Sequence, residues 1–223
     1  MHAEPQGALD GLLEGYVDAL LTPDPALARA LVVDACSAGV PAQRLYLEVL
    51  APAMEEVGRR WEQARISVAQ EHLATQVTQT VLATLVGRLE EDGDVAADRG
   101  TAVVAGTPGE LHALGLSMVR DFLEVDGWTV HCLGPDCPTG ALVELVERQA
   151  PDVVALSTAL PQHLLAAGAV FAALRRLPAP PLLVAGGRAY AGDEARARAV
   201  GADLLAADPR ALVLELRARA AAR

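Results

Sequence analysis

Two short stretches of the 223-residue chain carry side chains able to do ligand and metal chemistry. The first is Gly106-Thr107-Pro108-Gly109-Glu110-Leu111-His112-Ala113-Leu114-Gly115. It follows a short apolar run and precedes a helical one, which is where an α/β domain presents its chemistry. An imidazole there can give one ring nitrogen to a metal. Glu110, two residues away, can accept the N–H of the other, which fixes the tautomer and raises ligand basicity. On its own such a pair is more often a solvated surface contact than a metal site. A pyrophosphate loop fits worse, because GxGxxG is not present. The second stretch places nine residues between Trp61 and Glu71-His72, Val68 among them. Taken singly, these are a core anchor at a helix end, an acid favoured in a helix's first turn and a surface or bundle-facing histidine.

The remaining reactive residues add little. His131 and His163 in the second half, and His2 near the start, read as structural or solvated. Cys36, Cys132 and Cys137 are odd in number and lack CxxC spacing, as expected of reduced cytoplasmic thiols rather than a disulfide frame or zinc site. No nucleophile elbow, P-loop, HExxH or paired-carboxylate motif occurs, and the expectation is a protein that is not an enzyme.

Two kinds of element must position these residues. Up to about residue 92 the pattern is helical. Leu9, Leu12, Leu13, Tyr16, Val17 and Leu20 mark a first helix, ended by Thr22-Pro23-Asp24-Pro25. A second runs from about Ala26 to Ala38 and stops at Gly39. A third has Pro41 in its first turn and carries Leu45, Val49, Ala53, Val57 and Trp61 every four residues. A fourth opens at Ser67, with Gln70 three residues on as a capping box, and has Leu73, Val77, Val81 and Leu85 on its apolar face. Four helices with short connections predict a four-helix bundle over 1–92. Residues 93–100 read as a polar linker. From 101 to 223 the short apolar runs Thr101–Ala105, Thr129–Leu133, Asp152–Ser157, Leu182–Ala185 and Asp203–Leu205 alternate with helical stretches. That alternation predicts a flavodoxin-like, doubly wound parallel sheet of five strands, an α/β domain behind an all-α one.

Composition narrows the function classes. Hydrophobic residues make up 52%, charged residues 21% and aromatics 3%, as in a globular chain built on Ala, Leu and Val. The formal net charge of −11 disfavours direct nucleic-acid binding. Neither a signal peptide nor a long uncharged apolar stretch is evident, so a cytoplasmic protein without membrane spans is expected.

Three motifs in the second half stand in register. Glu110-x-His112-x-x-Gly115 resembles the cobalamin-binding signature DxHxxG, which continues as SxL and then GG. Residues 116–156 separate it from Ser157, and 160–185 separate Ala159 from Gly186-Gly187; both intervals are those of that family. The resemblance covers nearly the whole α/β half. It implies that a histidine replaces the cofactor's own base as lower ligand of cobalt while the nucleotide tail enters a slot in the sheet. On that basis His112 binds cobalt, Glu110 supports it, Ser157 hydrogen-bonds the tail, and Gly115, Gly186 and Gly187 complete the signature, the glycine pair leaving room for the tail. Glu110→Gln, which keeps an acceptor, is expected to matter less than loss of His112. Two departures are Glu110 for aspartate and Ala159 for the leucine of SxL.

Met54–Trp61 followed by Ile66–His72 is similar to the helical cap domain that precedes such modules. The Trp-x9-Glu-His pattern resembles the adenosylcobalamin photoreceptors of the CarH type, including relatives without a DNA domain. By that resemblance the bundle caps the upper face of the cofactor, and Trp61, Val68 and Glu71 line the adenosyl pocket with His72 beside them. Glu62 stands where several of those proteins have a histidine, and no winged-helix segment is evident. The implied function is an adenosylcobalamin-binding light sensor. Co–C photolysis would change domain packing, oligomer state or binding to a separate effector, with no direct nucleic acid or membrane partner. One alternative is a corrinoid carrier for a methyltransferase system, although carriers typically have Asp-x-His-x-x-Gly followed by lysine, and Leu116 stands here. Another is a sensor that also holds a linear tetrapyrrole such as biliverdin, in the manner of the photocobilin-like relatives.

Overall fold

The computed structural model describes residues 6–22, 24–92 and 98–222. The chain divides into two compact units, Met1–Gly93 and Asp94–Arg223. Pro23, His2 and most of the linker (93–97) lie outside the described residues.

The first unit is helical. Helix α1 (Gln6–Leu21) buries Leu9, Tyr16, Val17 and Leu20. Helix α2 (Pro25–Ser37) starts where Asp24 accepts the Leu27 N–H at 3.0 Å and Pro25 takes the first turn. The third helix runs unbroken over 42–62 as α3 (Ala42–Arg44), a π-helical stretch (Leu45–Leu50) and α4 (Ala51–Glu62). Pro41 is its N-cap in an extended conformation rather than a residue of the first turn. The π stretch has a cause in the sequence. Apolar residues every four positions drift by about 40° per turn of α-helix, and one wider turn takes up that drift. Leu45, Val49, Ala53 and Val57 are thereby all fully buried, and Tyr46 reaches across to donate to the Leu82 carbonyl at 3.3 Å. Helix α5 (Val68–Asp92) begins with the expected capping box: the Gln70 N–H donates to Ser67 Oγ at 3.3 Å and the Ser67 N–H to Gln70 Oε1 at 3.0 Å. Its inward face uses Ala74, Val77, Val81, Leu82, Leu85 and Leu89, whereas Leu73, expected there, is exposed.

The second unit alternates β1 (Thr101–Gly106), α6 (Leu114–Val125), β2 (Thr129–Gly134), α7 (Thr139–Gln149), β3 (Val153–Ser157), α8 (Leu164–Leu174), β4 (Leu182–Gly186), α9 (Glu194–Ala199), β5 (Leu204–Ala206) and α10 (Pro209–Ala221). All strand pairs are parallel and the order is β2-β1-β3-β4-β5. That is the flavodoxin-like order, whose switch point lies between β1 and β3. Val103, Ala105, Val154, Leu156, Leu183 and Ala185 pack with Leu142 and Val146 of α7 and Val170, Phe171 and Leu174 of α8. Helices α6 and α10 pack against each other, α6 on β1 and β2 and α10 on β5. The register sets Gly106 opposite Ser157, Ser157 opposite Gly186 and Gly186 opposite Ala206. Four strands therefore end in one row, with the His112 loop leaving from it.

Candidate functional site

The loop after β1 is held by backbone bonds first. The Thr107 N–H donates to the Ser157 carbonyl at 3.0 Å, and the Glu110 N–H closes a turn onto the Thr107 carbonyl at 2.9 Å. This turn drives Glu110 inward, where it is fully buried. A carboxylate can be buried only if its oxygens are satisfied, and Glu110 gathers five donors. Oε1 accepts the His112 Nδ1–H in a short hydrogen bond and the His112 backbone N–H at 3.2 Å. Oε2 accepts Ala159 N–H at 2.8 Å, Leu160 N–H at 3.0 Å and His163 Nδ1–H at 3.1 Å. Burial raises the Glu110 carboxyl, but the bonds from His112, His163 and the backbone outweigh it and hold its pKa at about 2. With Nδ1 committed to Glu110, Nε2 is the ring nitrogen that His112 can offer a metal, on a side chain 51% exposed.

His163, expected to be structural or solvated, is a partner of this carboxylate and mostly buried. Its ring also lies over Gly109, where a Cβ would come within 3.4 Å of Nε2. Behind the loop, Thr107 Oγ1 and Thr158 Oγ1 lie 2.8 Å apart, with Thr158 Oγ1 3.4 Å from Tyr190 Oη, all buried. Sequence reasoning missed these hydroxyls. Their one signal was position, since Thr107 follows β1 and Thr158 follows β3.

The structure brings Glu110, His112, Ser157, Gly186 and Gly187 to the same end of the sheet. The glycines differ in why they are glycine. Gly187 has φ +105° and a Cβ there would sit 2.3 Å from the Thr158 carbonyl oxygen, so the chain itself demands glycine. A Cβ on Gly186 would meet only the Ala206 oxygen, at 3.8 Å, and one on Gly115 would meet nothing within 4 Å. For these two the fold supplies no steric reason.

In the helical unit, Trp61 ends the four-residue stripe but is 47% exposed, unlike the buried core anchor its spacing alone would give. Val68 begins α5, on the far side of the connection 63–67, and is 53% exposed. Glu71 lies in the first turn of α5; Oε2 is 2.6 Å from His72 Nδ1 and Oε1 accepts Thr75 Oγ1–H at 2.9 Å. The His72 side chain is largely exposed. An apolar pair, a carboxylate and an imidazole thus flank one helix–helix connection.

Among the described residues no three His, Cys, Asp or Glu side chains converge as a bare metal ion would need. One imidazole with a fixed tautomer suits instead a metal that brings its other ligands with it, as cobalt does in a corrin. The donor set and the two unexplained glycines fit cobalamin. No described helix is long and apolar enough to cross a membrane.

Comparison with known proteins agrees. Two family profiles, each described as a B12 binding domain, match residues 12–86 and 100–214. Trimethylamine corrinoid protein 1 of Methanosarcina acetivorans is 26% identical over 140 residues, 63% of this chain and 65% of that protein. The chain thus spans just under two thirds of that corrinoid protein. The HTH-type transcriptional repressor CarH of Myxococcus xanthus is 39% identical over 130 residues, 57% of this chain and 41% of the repressor. Among solved structures, the Methanosarcina barkeri monomethylamine corrinoid protein superposes with a TM-score of 0.80 at 22% identity, covering 94% of this chain and 99% of that one. The fold is therefore the helical domain plus Rossmann-like domain of corrinoid proteins. The resemblance to CarH extends to homology, while the narrower identification as a photoreceptor does not follow from it. The chain belongs to the B12 binding domain family and is a cobalamin-binding protein.

Proposed function

We propose that this chain is a corrinoid protein of the carrier kind. It is not itself a catalyst, and it holds cobalamin for a separate methyltransferase. The observation that supports cobalamin in this position is the row Gly106–Ser157–Gly186 with His112 hung beside it on a buried, ionised Glu110. Relatives named trimethylamine and monomethylamine corrinoid proteins favour the carrier reading. When bound, cobalamin supplies a cobalt–carbon bond that can pass a methyl group to an acceptor or be cleaved by visible light. The chain's part is to bind and orient. His112 Nε2 would hold the metal, Glu110 would keep the Nδ1–H tautomer, Ser157 would hydrogen-bond the tail, and Gly115 and Gly186 would keep space open for it.

A second reading is favoured by specific residues. Trp61, Glu71 and His72 keep the Trp-x9-Glu-His pattern, and Trp61 and Val68 are both exposed. A flat indole suits a nucleoside face and a carboxylate suits ribose hydroxyls. In that reading the cofactor is adenosylcobalamin, light is the input, and oligomer state or partner binding is the output. Glu62, where CarH-type relatives have histidine, and Leu116, where carriers have lysine, each depart from one of the two patterns.

One experiment separates the readings. The protein is loaded with methyl- or adenosylcobalamin, and spectra and size-exclusion profiles are recorded in the dark and after green light. Methyl exchange with a corrinoid methyltransferase, and an oligomeric state indifferent to light, support the carrier. A light-dependent change in size or partner binding without methyl exchange replaces it with the sensor. Pigment extraction from the purified protein tests for biliverdin.

A further inference from the structure

The His112 loop is gripped by a second loop to which the site reading assigns no part. Pro135, Asp136 and Cys137, between β2 and α7, touch it at three points. The Cys137 N–H donates to the Gly106 carbonyl at 3.2 Å. The Asp136 N–H donates to the Glu110 carbonyl at 2.8 Å. Asp136 Oδ1 accepts the Gly109 N–H at 2.7 Å. The approach is close, since a Cβ on Gly106 would stand 2.8 Å from Pro135 Cα.

Asp136 makes two of these three bonds, one with its backbone and one with its side chain. It makes both from a left-handed conformation, φ +49°, which Asp tolerates better than most residues. Its two bonds bracket the Gly109–Glu110 segment, one at the N–H of Gly109 and one at the carbonyl of Glu110. That segment decides where the Glu110 side chain points. Gly109, at φ +85°, has no side chain to fix it and lies against the His163 ring on its other side. The direction of Glu110 in turn sets the orientation of His112, because Oε1 bonds both its ring and its backbone.

We infer that Asp136 is a positioning residue for the lower cobalt ligand: by clasping Gly109 and Glu110 it fixes the carboxylate that aims His112. The inference rests on the reading of His112 as that ligand. It also extends the site to the β2–α7 loop, which none of the signature motifs reaches.

The test uses the full chain, cob(II)alamin as probe, and Asp136→Gly, Asp136→Asn and His112→Ala. Two readouts are taken on nitrogen-15-labelled protein with unlabelled cofactor: the cobalamin dissociation constant, and the nitrogen-15 splitting in the electron paramagnetic resonance spectrum, which a protein nitrogen on cobalt gives and the cofactor's own base does not. Asp136→Gly permits the left-handed backbone but deletes the acceptor. It is expected to raise the dissociation constant about tenfold, the lower end of outer-shell effects on metal sites, and to reduce the nitrogen-split fraction. Asp136→Asn keeps an acceptor and tolerates φ above zero, and is expected to restore both. Should His112→Ala lose the splitting while Asp136→Gly matches the parent, the role of Asp136 is overturned and the ligand assignment stands. Should His112→Ala also match the parent, the ligand assignment fails and takes this inference with it. Hydrogen exchange on the unsubstituted protein is an independent check. The Gly109 amide lies in an exposed residue, so slow exchange there supports the clasp and fast exchange overturns it whatever the variants do.

Discussion

Replacing Glu110 by glutamine is the most informative single perturbation of the site. From sequence alone it is a mild change, because an acceptor remains. The hydrogen bonds around Glu110 argue for a substantial effect. Both carboxylate oxygens of Glu110 face N–H donors: two from His112 on Oε1, and Ala159, Leu160 and His163 on Oε2. An amide has one oxygen and one NH2 group, so one of these sets must meet a donor. Backbone N–H groups cannot change roles, but an imidazole can change tautomer. The least costly arrangement turns the NH2 toward His112, whose Nδ1 becomes the acceptor and whose proton moves to Nε2. In that tautomer Nε2 has no lone pair for cobalt. The backbone N–H of His112 is left facing the NH2 as well.

To bind cobalt through Nε2 the ring must return to the Nδ1–H tautomer against that NH2, and a polar group left unsatisfied in this way costs about 1–3 kcal/mol. At ~1.4 kcal/mol per tenfold, that is a loss of about five- to a hundred-and-fiftyfold in cobalamin affinity. The assay is titration of nitrogen-15-labelled protein with cob(II)alamin followed by absorption and paramagnetic resonance, and the nitrogen-15 splitting should fall along with the affinity. Glu110→Gln that binds as tightly as the parent with the splitting intact would refute the tautomer argument. The same variant should change acid stability. A carboxyl held at about 2, against the 4.5 of an ordinary glutamate, contributes stability that is fully present above the higher figure and is lost as pH falls toward the lower. Acid unfolding of Glu110→Gln should therefore lose the part of its pH dependence that lies between those values.

His112→Ala should weaken cobalamin binding and shift its spectrum toward a base-off or water-ligated form; an unchanged spectrum removes His112 from the site. Gly186→Ala should leave the melting temperature close to the parent's but impair cobalamin uptake, because its Cβ would find room in the protein and not beside a bound tail. Gly187→Ala should instead destabilise the fold itself, by about 1–3 kcal/mol from the backbone conformation alone, before the clash with Thr158 is added. Equal thermal stability for the two alanine variants would contradict this distinction. Trp61→Ala and Glu71→Ala should lower the preference for adenosyl- over methylcobalamin and leave corrin binding largely intact; equal loss for both cofactors would mean that these residues serve only the bundle.

The sheet and its carboxyl-end loops were legible because each rests on local signals: short apolar runs, the glycines that follow them, and a histidine two residues from an acid. The capping box at Ser67 and the stop after Ala38 were legible for the same reason. What escaped is set by pairing between distant segments. Nothing near His163 announces that its ring will meet a carboxylate 53 positions earlier. Only the register that places Ser157 opposite Gly106 brings the β3–α8 loop onto the β1–α6 loop. Asp136 is hidden likewise, since its partners are backbone atoms 26 and 27 positions away and backbone groups have no signature in sequence. Trp61 marks a third kind of limit. Its spacing continues the buried stripe of Leu45, Val49, Ala53 and Val57, and periodicity assigned it to the core, yet it is half exposed. The Trp-x9-Glu-His pattern separates it from that stripe because it pairs the indole with residues of the next helix rather than of its own.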